Sequence, residues 1–403
     1  MTVLSPAGVA NACVFVDYLY VAAMRTTLLY ASKTLGGGAS SMLLASFESA
    51  FGIGQIGGAL TIGRLSDRHG RRTMLSLCLA CTALAYGLSS AALSTGSILL
   101  LLASRIPSGI SKQTTTTARA IICDTARADE RASALSTLYA SSTLGYAVGP
   151  LIGGALTERG KPALIAGLAG CVFALLTPAV AVMLEETRPA PPPPANPVNV
   201  PKSALIGSAW RRPELRRALL QAALPEAALV TQVAVAQPLL AQHLGLSPLQ
   251  TGHLSSAQGA AAFLISTGPL PALLRRGVLH ERNALLWVNT LLLVASVYLA
   301  SHPSKQAIWL CLPPFALAVS VQRAMSATLV SRTAPADAQG EALGALDAVS
   351  SMCRVVVPLI AGLLATRGYI TSPVVAMAVV AMLGLLVSLV APTPTKEAMP
   401  KED

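Results

Sequence analysis

Long apolar segments, separated by short charged loops, constrain this chain more than any other feature. Two of them, Met42–Ile62 and Thr73–Leu93, flank the strongly basic stretch Gly63–Arg72, which reads GRLSDRHGRR. A helix of about 20 apolar residues crosses the ~30 Å hydrocarbon core of a bilayer. We therefore predict two membrane-spanning helices joined by a short loop, in which glycine permits a tight turn and four arginines keep the loop on one side.

The composition extends this interpretation to the whole chain. Of 403 residues, 53% are hydrophobic and only 12% are charged, and the mean hydropathy is +0.61. Soluble domains contain about 25% charged residues, so this composition indicates a protein that resides in a lipid bilayer. The net charge of +11 comes mostly from short loops, and aromatic residues make up only 4%. Nucleic acid is therefore not an expected partner, because no stacking surface for bases is indicated.

Twelve apolar segments are long enough to span a membrane, which predicts a multi-pass protein. They cover residues 9–30, 42–62, 73–93, 97–122, 133–156, 162–184, 215–240, 249–272, 284–301, 306–330, 342–365 and 371–391. Between the sixth and seventh segments lies PAPPPPANPVNVP, whose prolines favour extended, water-exposed chain. We thus predict a six-helix bundle over residues 1–184, a linker over 185–213, a second bundle over 214–391 and a tail over 392–403.

The basic residues predict how the chain lies in the membrane. With these spans, 19 of the 29 lysines and arginines fall on the side of Arg64, five fall on the other side and five lie within spans. Loops rich in lysine and arginine stay in the cytoplasm. We expect the linker, the GRLSDRHGRR stretch and both termini to be cytoplasmic; the sequence does not indicate which cellular membrane holds the protein.

An internal repeat relates the two halves of the chain. At an offset of 208 positions, Pro-Leu-Ile at 150–152 matches Pro-Leu-Ile at 358–360, and Arg-Gly at 159–160 matches Arg-Gly at 367–368. Apolar sequence of low complexity does not readily produce proline and Arg-Gly matches in one register. Because each half has six spans, the two copies are expected to run parallel, with a binding site near the midplane between them.

The GRLSDRHGRR stretch resembles the loop between spans two and three of the major facilitator superfamily, whose pattern is G-x-L-a-D-r-x-G-r-r. The segment from Gly145 to Gly154, GYAVGPLIGG, resembles the GxxxGPxxGG signature of proton-coupled antiporters in that superfamily. Arg105–Gly109 resembles the family's RxxxG, and Asp124–Arg131 resembles its D-x-x-x-x-x-x-R. The first five spans are most similar to tetracycline-efflux-like carriers and to the organic-cation-transporter-like branch of solute carrier family 22 member 18.

This resemblance implies an all-α membrane protein with twelve transmembrane helices in two parallel six-helix repeats. The implied gating residues are Gly63, Leu65, Asp67, Arg68, Gly70, Arg71, Arg72, Asp124, Asp129 and Arg131. The implied antiporter-motif residues are Gly145, Gly149, Pro150, Gly153 and Gly154. The second half has Leu274 where the first has Asp67, so we assign the gating role to the first copy only.

The gating stretch is expected to act as a latch. In the family pattern the acid, here Asp67, meets the start of span eleven near Glu341–Ala345, where the helix dipole favours a carboxylate. A base of the same stretch, Arg68 or Arg72, is then expected to pair with an acid of the neighbouring loop. The candidate acids are Asp124 and Asp129. Such a latch would hold the outward-facing state.

Charged residues within the spans are candidates for the transport site, because each is costly in hydrocarbon. The acids are Asp17, Glu48, Glu226 and Asp347, and the bases are Arg25, Arg105, Lys112, Arg323 and Arg354. For some of them the alternative is a purely structural role: the side chain extends to the end of its span, or it pairs with another charge and holds two helices together. The expected cavity residues are Asp17, Glu226, Arg105, Lys112, Glu48 and Asp347, of which the first four lie deepest.

Asp17 and Glu226 are the first candidates for the proton-coupling acid. They are 209 positions apart, one from the repeat offset, and lie on the first helix of each half. A partly desolvated carboxylate there can hold a proton near neutral pH. After losing the proton, the carboxylate can attract a cation or pair with Arg105. Permanent ion pairing without a role in coupling is the alternative.

The sequence predicts a secondary active transporter that exchanges protons for small amphipathic organic molecules, cationic or zwitterionic ones first. No GxxxxGK[ST] occurs, so a gradient must supply the energy. The alternatives are a proton-independent facilitator, an organic-anion carrier, since Arg105 and Lys112 share a helix face, and a non-transporting sensor or scaffold. An enzyme is not expected, and neither is a cofactor or a metal. The expected partners are the solute, protons and the lipid bilayer, and we expect a monomer.

Overall fold

The computed structural model describes residues 5–37, 40–127, 130–187, 212–275, 281–334, 339–366 and 371–390, and the elements within these ranges are helical. The helices of the first half are α1 (Pro6–Gly36), α2 (Ser40–His69), α3 (Arg71–Thr95), α4 (Ile98–Ser111), α5 (Thr114–Thr125), α6 (Arg131–Glu158) and α7 (Pro162–Met183). Those of the second half are α8 (Pro213–Thr231), a π-helix (Gln232–Ala236), α9 (Gln237–His243), α10 (Pro248–Thr267), α11 (Pro269–Arg275), α12 (Glu281–Ser301), α13 (Lys305–Thr333), α14 (Gln339–Thr366) and α15 (Ser372–Val390).

These helices account for the twelve predicted spans. Eight helical segments in the described part of the chain are long and apolar enough to cross a membrane. The other four spans correspond to α2, to α4 followed by α5, to α6, and to α10 followed by α11. The all-α prediction is therefore confirmed. The linker over 185–213 and the tail over 392–403 fall mostly outside the described residues, so these boundaries stay predictions.

Helix starts follow the local sequence. The Ser5 hydroxyl accepts a hydrogen bond from the Gly8 amide at 3.2 Å and so caps α1. At the start of α10, the Ser247 hydroxyl accepts from the Gln250 amide, while the Gln250 side chain accepts from the Ser247 amide. This reciprocal capping box satisfies two amides that the helix itself leaves unbonded.

The structure corrects the fourth span, which was predicted as one helix over 97–122. It consists of two helices. α4 ends at Ser111, and α5 begins at Thr114 after Lys112 and Gln113. α5 opens with four threonines, which are β-branched and poor helix formers. The break therefore has a local cause, and it places Lys112 at the end of a helix instead of in its middle.

Two spans of the second half also differ from the prediction. The span predicted over 215–240 contains the π-helix, because Pro238 has no amide hydrogen to continue the α-helical ladder. The span predicted over 249–272 breaks at Gly268, since the following Pro269 disfavours helical backbone in the residue before it. Both interruptions lie where proline removes a regular backbone hydrogen bond.

The GRLSDRHGRR stretch is mostly helical and not the predicted short loop. α2 continues to His69, and α3 begins at Arg71, so only Gly70 separates them. Gly70 has φ +96°, a left-handed conformation that side chains rarely adopt. A Cβ there would also overlap the Glu186 carboxylate. The turn is thus shorter than expected because a single glycine reverses the chain.

Hydrophobic packing divides the described helices into two bodies. The largest core cluster of the first half includes Phe47, Leu75, Leu101 and Phe173. That of the second half includes Leu240, Leu292, Ala307 and Phe315. A small cluster crosses between the halves and comprises Leu29, Leu44, Ala234, Val235, Leu239 and Ala361. Each half therefore has its own core, with a thin apolar contact between them.

The two halves meet more tightly at one membrane face than at the other. We call the helix ends near Gly70 and Leu184 the linker face, and those near Gly96 and Gly160 the opposite face. Toward the opposite face, the Tyr30 hydroxyl donates to the Leu246 carbonyl at 2.8 Å, and the Leu249 amide donates to Glu158 at 3.0 Å. Near the linker face, the closest described ion pair between the halves is Arg119–Asp347 at 3.8 Å. The described polar contacts between the halves are therefore shorter toward the opposite face than near the linker face.

Candidate functional site

The most deeply buried ion pair lies inside the first half. Lys112 Nζ is 2.6 Å from Asp17 Oδ2 and 3.7 Å from the centroid of the Tyr18 ring. Only 6% of the lysine side chain and 3% of the aspartate side chain are exposed. The end of α4 at Ser111 brings the lysine to α1, which carries the other two residues. Two opposite charges at this depth compensate each other's loss of hydration.

A second cluster joins α1, α2 and α4. Arg25 donates through Nε and Nη2 to the two carboxylate oxygens of Glu48, at 3.2 and 3.1 Å. The Arg105 guanidinium lies 4.7 Å from the centroid of the Phe51 ring, and its charge also acts on Glu48. Glu48 thus lies between two arginines. The forked contact with Arg25 is the geometry in which a guanidinium binds a carboxylate most strongly.

The third pair belongs to the second half and faces the first. Arg354 of α14 lies 3.6 Å from Glu226 of α8, and it donates to the Gln55 side chain of α2 at 3.4 Å. Of the two charged side chains, 45% of the arginine and 16% of the glutamate are exposed. This pair therefore lies at the boundary between the halves and remains partly exposed.

The structure corrects the partner that we expected for Asp17. Its partner is Lys112, whereas Arg105 packs over Phe51 beside Glu48. Both bases are buried, as expected, but Arg105 lies on α4 whereas Lys112 follows the end of that helix. They nevertheless serve different acids, because the acids themselves lie on different helices.

The structure also corrects the equivalence of Asp17 and Glu226. Asp17 is buried within the first half, while Glu226 lies at the boundary between the halves. Tyr18, not Asp17, is exactly 208 positions from Glu226. One residue turns the side-chain direction by about 100° around a helix of 3.6 residues per turn. Because Asp17 is one residue away from the position equivalent to Glu226, its side chain lies on a different face of its helix.

Asp347 does not join the other acids. It lies seven residues before Arg354 on α14, nearer the linker face, and 68% of its side chain is exposed. Its described partner is Arg119 of α5, at 3.8 Å. An exposed pair at this distance contributes little to stability, and its position suits contact between the halves better than proton storage.

The gating residues form a compact group that we call the latch cluster: Ser66, Arg71, Asp124 and Glu186. Arg71 Nε donates to Asp124 at 2.9 Å and Nη1 donates to Ser66 at 3.1 Å, while the Arg71 amide donates to Glu186 at 2.7 Å. From the sequence we expected Arg68 or Arg72 to pair with Asp124 or Asp129; the described contact joins Asp124 to Arg71, a neighbouring arginine of the same stretch. Arg71 makes this contact because it opens α3, immediately after the reversal at Gly70.

Glu186 is a member of this cluster that the sequence analysis missed. An acid just after span six, beside the first amides of α3, was the available signal, since helix N-termini favour carboxylates.

Several predicted gating residues are not tested by these contacts. Asp129 and the side chains of Asp67 and Arg131 lie outside the described residues. Arg68 and Arg72 are exposed, Gly63 has open space around it, and Leu65 packs beside a small apolar cluster.

The glycines of the antiporter motif are packing positions. A Cβ at Gly145, Gly149 or Gly153 of α6 would overlap the backbone of α1, and one at Gly154 would overlap the Pro248 carbonyl of α10. Small residues four apart thus let two helices approach closely. The neighbouring Pro150 carbonyl in turn approaches Gly252 of α10. The motif holds α6 against α1 within the first half and against α10 across the halves.

Two tyrosines contact each other between α1 and α6, a ring contact that the sequence motifs did not predict. Tyr18 of α1 and Tyr146 of α6 have ring centroids 5.1 Å apart, with an angle of 74° between the rings. The approach of these helices at Gly145 brings the rings together. The repeat offset was the available signal, because it relates Tyr18 to Glu226 and Tyr146 to Arg354.

The sequence pattern of the Major Facilitator Superfamily matches residues 10–316 and, as a second match, residues 227–403. The chain belongs to the major facilitator superfamily. Members of this superfamily are membrane transporters, so the protein is a multi-pass transporter and not an enzyme. The resemblance seen in the GRLSDRHGRR stretch is thereby confirmed, and the charge pairs above lie within a transporter of this superfamily.

Three relatives refine this placement. Human solute carrier family 67 member A1 is 25% identical over 347 residues, which cover 83% of this chain and 80% of that protein. Mouse solute carrier family 22 member 18 is 33% identical over 146 residues, or 36% of this chain and 34% of the relative. The class B tetracycline resistance protein of Escherichia coli is 36% identical over 117 residues, or 28% of each chain.

Solved structures agree on the fold of this superfamily member. The crystal structure of the human organic anion transporter MFSD10 (TETRAN) superposes with a TM-score of 0.70, covering 95% of this chain and 98% of that one, at 21% sequence identity. Two parallel six-helix repeats therefore describe the architecture.

Proposed function

We propose that this chain is a proton-coupled secondary transporter, which moves small amphipathic organic molecules by alternating access. The observation that carries the proposal is the Asp17–Lys112 pair, a carboxylate and an ammonium 2.6 Å apart and almost fully buried within the membrane span. Protonating Asp17 would remove its attraction for Lys112 and leave a buried cation uncompensated. Such a change costs enough free energy to shift a balance between two packings of the halves.

The orientation follows from the distribution of basic residues. We place the linker face and both termini in the cytoplasm, because 19 of the 29 lysines and arginines lie on that side. With this orientation, we propose that the looser described contacts between the halves near the linker face correspond to an inward-open state. The latch cluster then lies at the cytoplasmic gate, and we propose that Asp67 contacts the start of α14 when that gate closes.

The charge of the solute decides the direction of coupling. A cation would compete with the proton for a carboxylate, which is the minimum requirement for antiport. An anion would bind best when the acid is protonated and its basic partner is released, so proton and anion would travel together. Antiport of amphipathic molecules is our first candidate, and the similarity to a tetracycline resistance protein supports an efflux role.

Co-transport of a proton with an organic anion is the second candidate, and one observation favours it. In the pairs Arg25–Glu48, Arg354–Glu226 and Lys112–Asp17, the base is the more exposed partner, with 27% against 7%, 45% against 16% and 6% against 3%. In the two less buried pairs, Arg25–Glu48 and Arg354–Glu226, the base is thus the group more accessible to a solute. The name of the structurally similar organic anion transporter agrees with such a substrate.

Reconstitution tests the proposed function. The purified protein would be placed in liposomes with an imposed pH gradient, and uptake of matched organic cations and anions would be measured with and without an uncoupler. Uptake against the solute gradient that collapses with the uncoupler supports proton coupling, and the gradient orientation that drives it separates antiport from co-transport. Flux independent of pH would establish a facilitator, and no flux of any solute would favour a sensor.

A further inference from the structure

The central space contains an aromatic contact that the proposed proton site does not use. The rings of Tyr18 and Tyr146 are 5.1 Å apart in an edge-to-face arrangement. Both side chains are only partly buried, so each retains some accessible ring surface. Aromatic side chains offer a further ring the same edge or face contacts that they make with one another.

In the internal repeat, the two tyrosines occupy the positions equivalent to an ion pair in the second half. Tyr18 and Glu226 are 208 positions apart, and so are Tyr146 and Arg354. In each half the two equivalent residues contact each other: the tyrosines through their rings, and Arg354 with Glu226 at 3.6 Å. Arg354 also reaches the first half, where it donates to Gln55 of α2 and its carbonyl lies against Gly52, so the ion pair faces the half that carries the tyrosines. The halves thus present different chemistry at equivalent positions.

The bases around the tyrosines disfavour a cationic solute. Lys112 Nζ already lies 3.7 Å from the centroid of the Tyr18 ring and takes up one face of it. Arg25 lies seven residues, close to two helical turns, after Tyr18 on α1 and therefore on the same face of that helix. A cation over the free ring face would be repelled by these charges, which offset the attraction that an aromatic face normally offers.

We propose that Tyr18, Tyr146 and Arg354 form the solute site, and that its substrates are aromatic organic anions. The substrate ring packs against the two tyrosines, and its carboxylate or sulfonate accepts hydrogen bonds from the exposed guanidinium of Arg354. The Arg354 side chain is 45% exposed, and its contacts with Gln55 and Glu226 are long, at 3.4 and 3.6 Å. The inference rests on the proposed transport function, favours its second candidate over antiport of a cation, and names the substrate class.

A matched series of probes tests this assignment by binding alone. The purified protein in lipid nanodiscs, at one fixed pH and without a gradient, would be titrated with 2-naphthoate, 2-naphthamide, 2-naphthyltrimethylammonium and cyclohexanecarboxylate. We expect 2-naphthoate to bind about tenfold more tightly than its amide, because a charged acceptor strengthens the bonds from arginine. Equal or tighter binding of the ammonium probe, or no binding of any probe, would overturn the inference.

Variants then assign each part of the probe to a side chain. Arg354→Gln should remove the preference for naphthoate over naphthamide, and Tyr146→Leu should lower the preference for naphthoate over cyclohexanecarboxylate by about threefold to tenfold. Tyr146→Phe should retain the preference for naphthoate over cyclohexanecarboxylate. Arg354→Lys should retain part of the preference for naphthoate over naphthamide. The matched controls are Arg159→Gln and Tyr298→Leu, both on exposed surfaces away from the site.

The outcomes separate this inference from the proposed function. Unchanged preferences in Arg354→Gln and Tyr146→Leu would place the solute elsewhere, even if pH-driven uptake is intact. Conversely, the expected binding pattern without any pH-driven uptake would overturn proton coupling and leave the aromatic-anion site standing. Gel filtration of each variant distinguishes a lost preference from a lost fold.

Discussion

Two acid–base pairs differ in how far their side chains are exposed to water. Their acids lie on α1 and α8, the first helices of the two halves. Asp17 and Lys112 are 2.6 Å apart with 3% and 6% of their side chains exposed, whereas Glu226 and Arg354 are 3.6 Å apart with 16% and 45% exposed. We call them the sealed pair and the open pair. A sealed pair cannot lose one member without leaving a bare charge in an apolar interior, while water compensates the members of an open pair.

This difference suggests a division of roles within one scaffold. The sealed pair responds strongly to a proton, because neutralising one member changes the free energy of burying the other. The open pair responds to solutes, because its arginine has donors that are not held at short distance. A two-half carrier thus gains separate sites for proton and solute although both halves descend from the same six-helix pattern.

The largest expected effect follows from breaking the sealed pair. Lys112→Met leaves the Asp17 carboxylate buried without a partner, and removing one member of a buried pair costs about 3–5 kcal/mol. We expect a marked fall in the thermal unfolding midpoint of the purified protein in detergent. The double variant Asp17→Asn/Lys112→Met should recover most of the stability while losing pH-driven uptake. If Lys112→Met alone unfolds like the parent protein, the pair is not sealed.

The next effect concerns the packing that seals the pair. A methyl group at Gly149 overlaps the Leu19 carbonyl on α1, and overpacking of this kind costs about 1–3 kcal/mol. Gly149→Ala should therefore lower the unfolding midpoint and pH-driven uptake together. The matched control is Gly87→Ala, at an exposed helical position with open space around it, which should lose nothing. Equal behaviour of the two variants would contradict the close approach of α6 and α1.

Neutralising the acid of the open pair should have a smaller effect on stability. Glu226→Gln leaves Arg354 half exposed to water and in contact with Gln55, so we expect a loss below about 1 kcal/mol. Denaturation of this variant beside Asp17→Asn compares the two sites directly. If Glu226→Gln alone abolishes pH-driven uptake while exchange at equal pH continues, the coupling acid belongs to the open pair and our division of roles is reversed.

The smallest effect is expected where neither pair is touched. Asp67→Asn removes a carboxylate from the gating stretch, and an interaction of about 0.3–1 kcal/mol with a helix N-terminus corresponds to a change in turnover of about twofold to fivefold. Membrane insertion, unfolding midpoint and solute binding should stay as in the parent. Glu130→Gln, an exposed acid at the same face, is the control. Normal turnover in Asp67→Asn would leave the stretch as a signal for topology only.

The sequence by itself determined the class of the molecule. Apolar segments of membrane length, the basic loops and the 208-residue repeat predicted twelve helices in two parallel halves, because a bilayer enforces segment length and satisfied backbone hydrogen bonds. The motif residues predicted the superfamily. The breaks after Ser111 and at Gly268, and the π-helix before Pro238, also have local causes in threonine and proline.

Only the tertiary structure decided which charges meet. Four acids and five bases within spans allow many pairings, and the choice between Arg105 and Lys112 for Asp17 depends on how far α4 continues before it ends. An error of one residue in an alignment is small along the chain, yet it turns a side chain by about 100° around a helix. Sequence therefore specified which charges enter the membrane, whereas helix packing decided which of them are sealed and which face the solute.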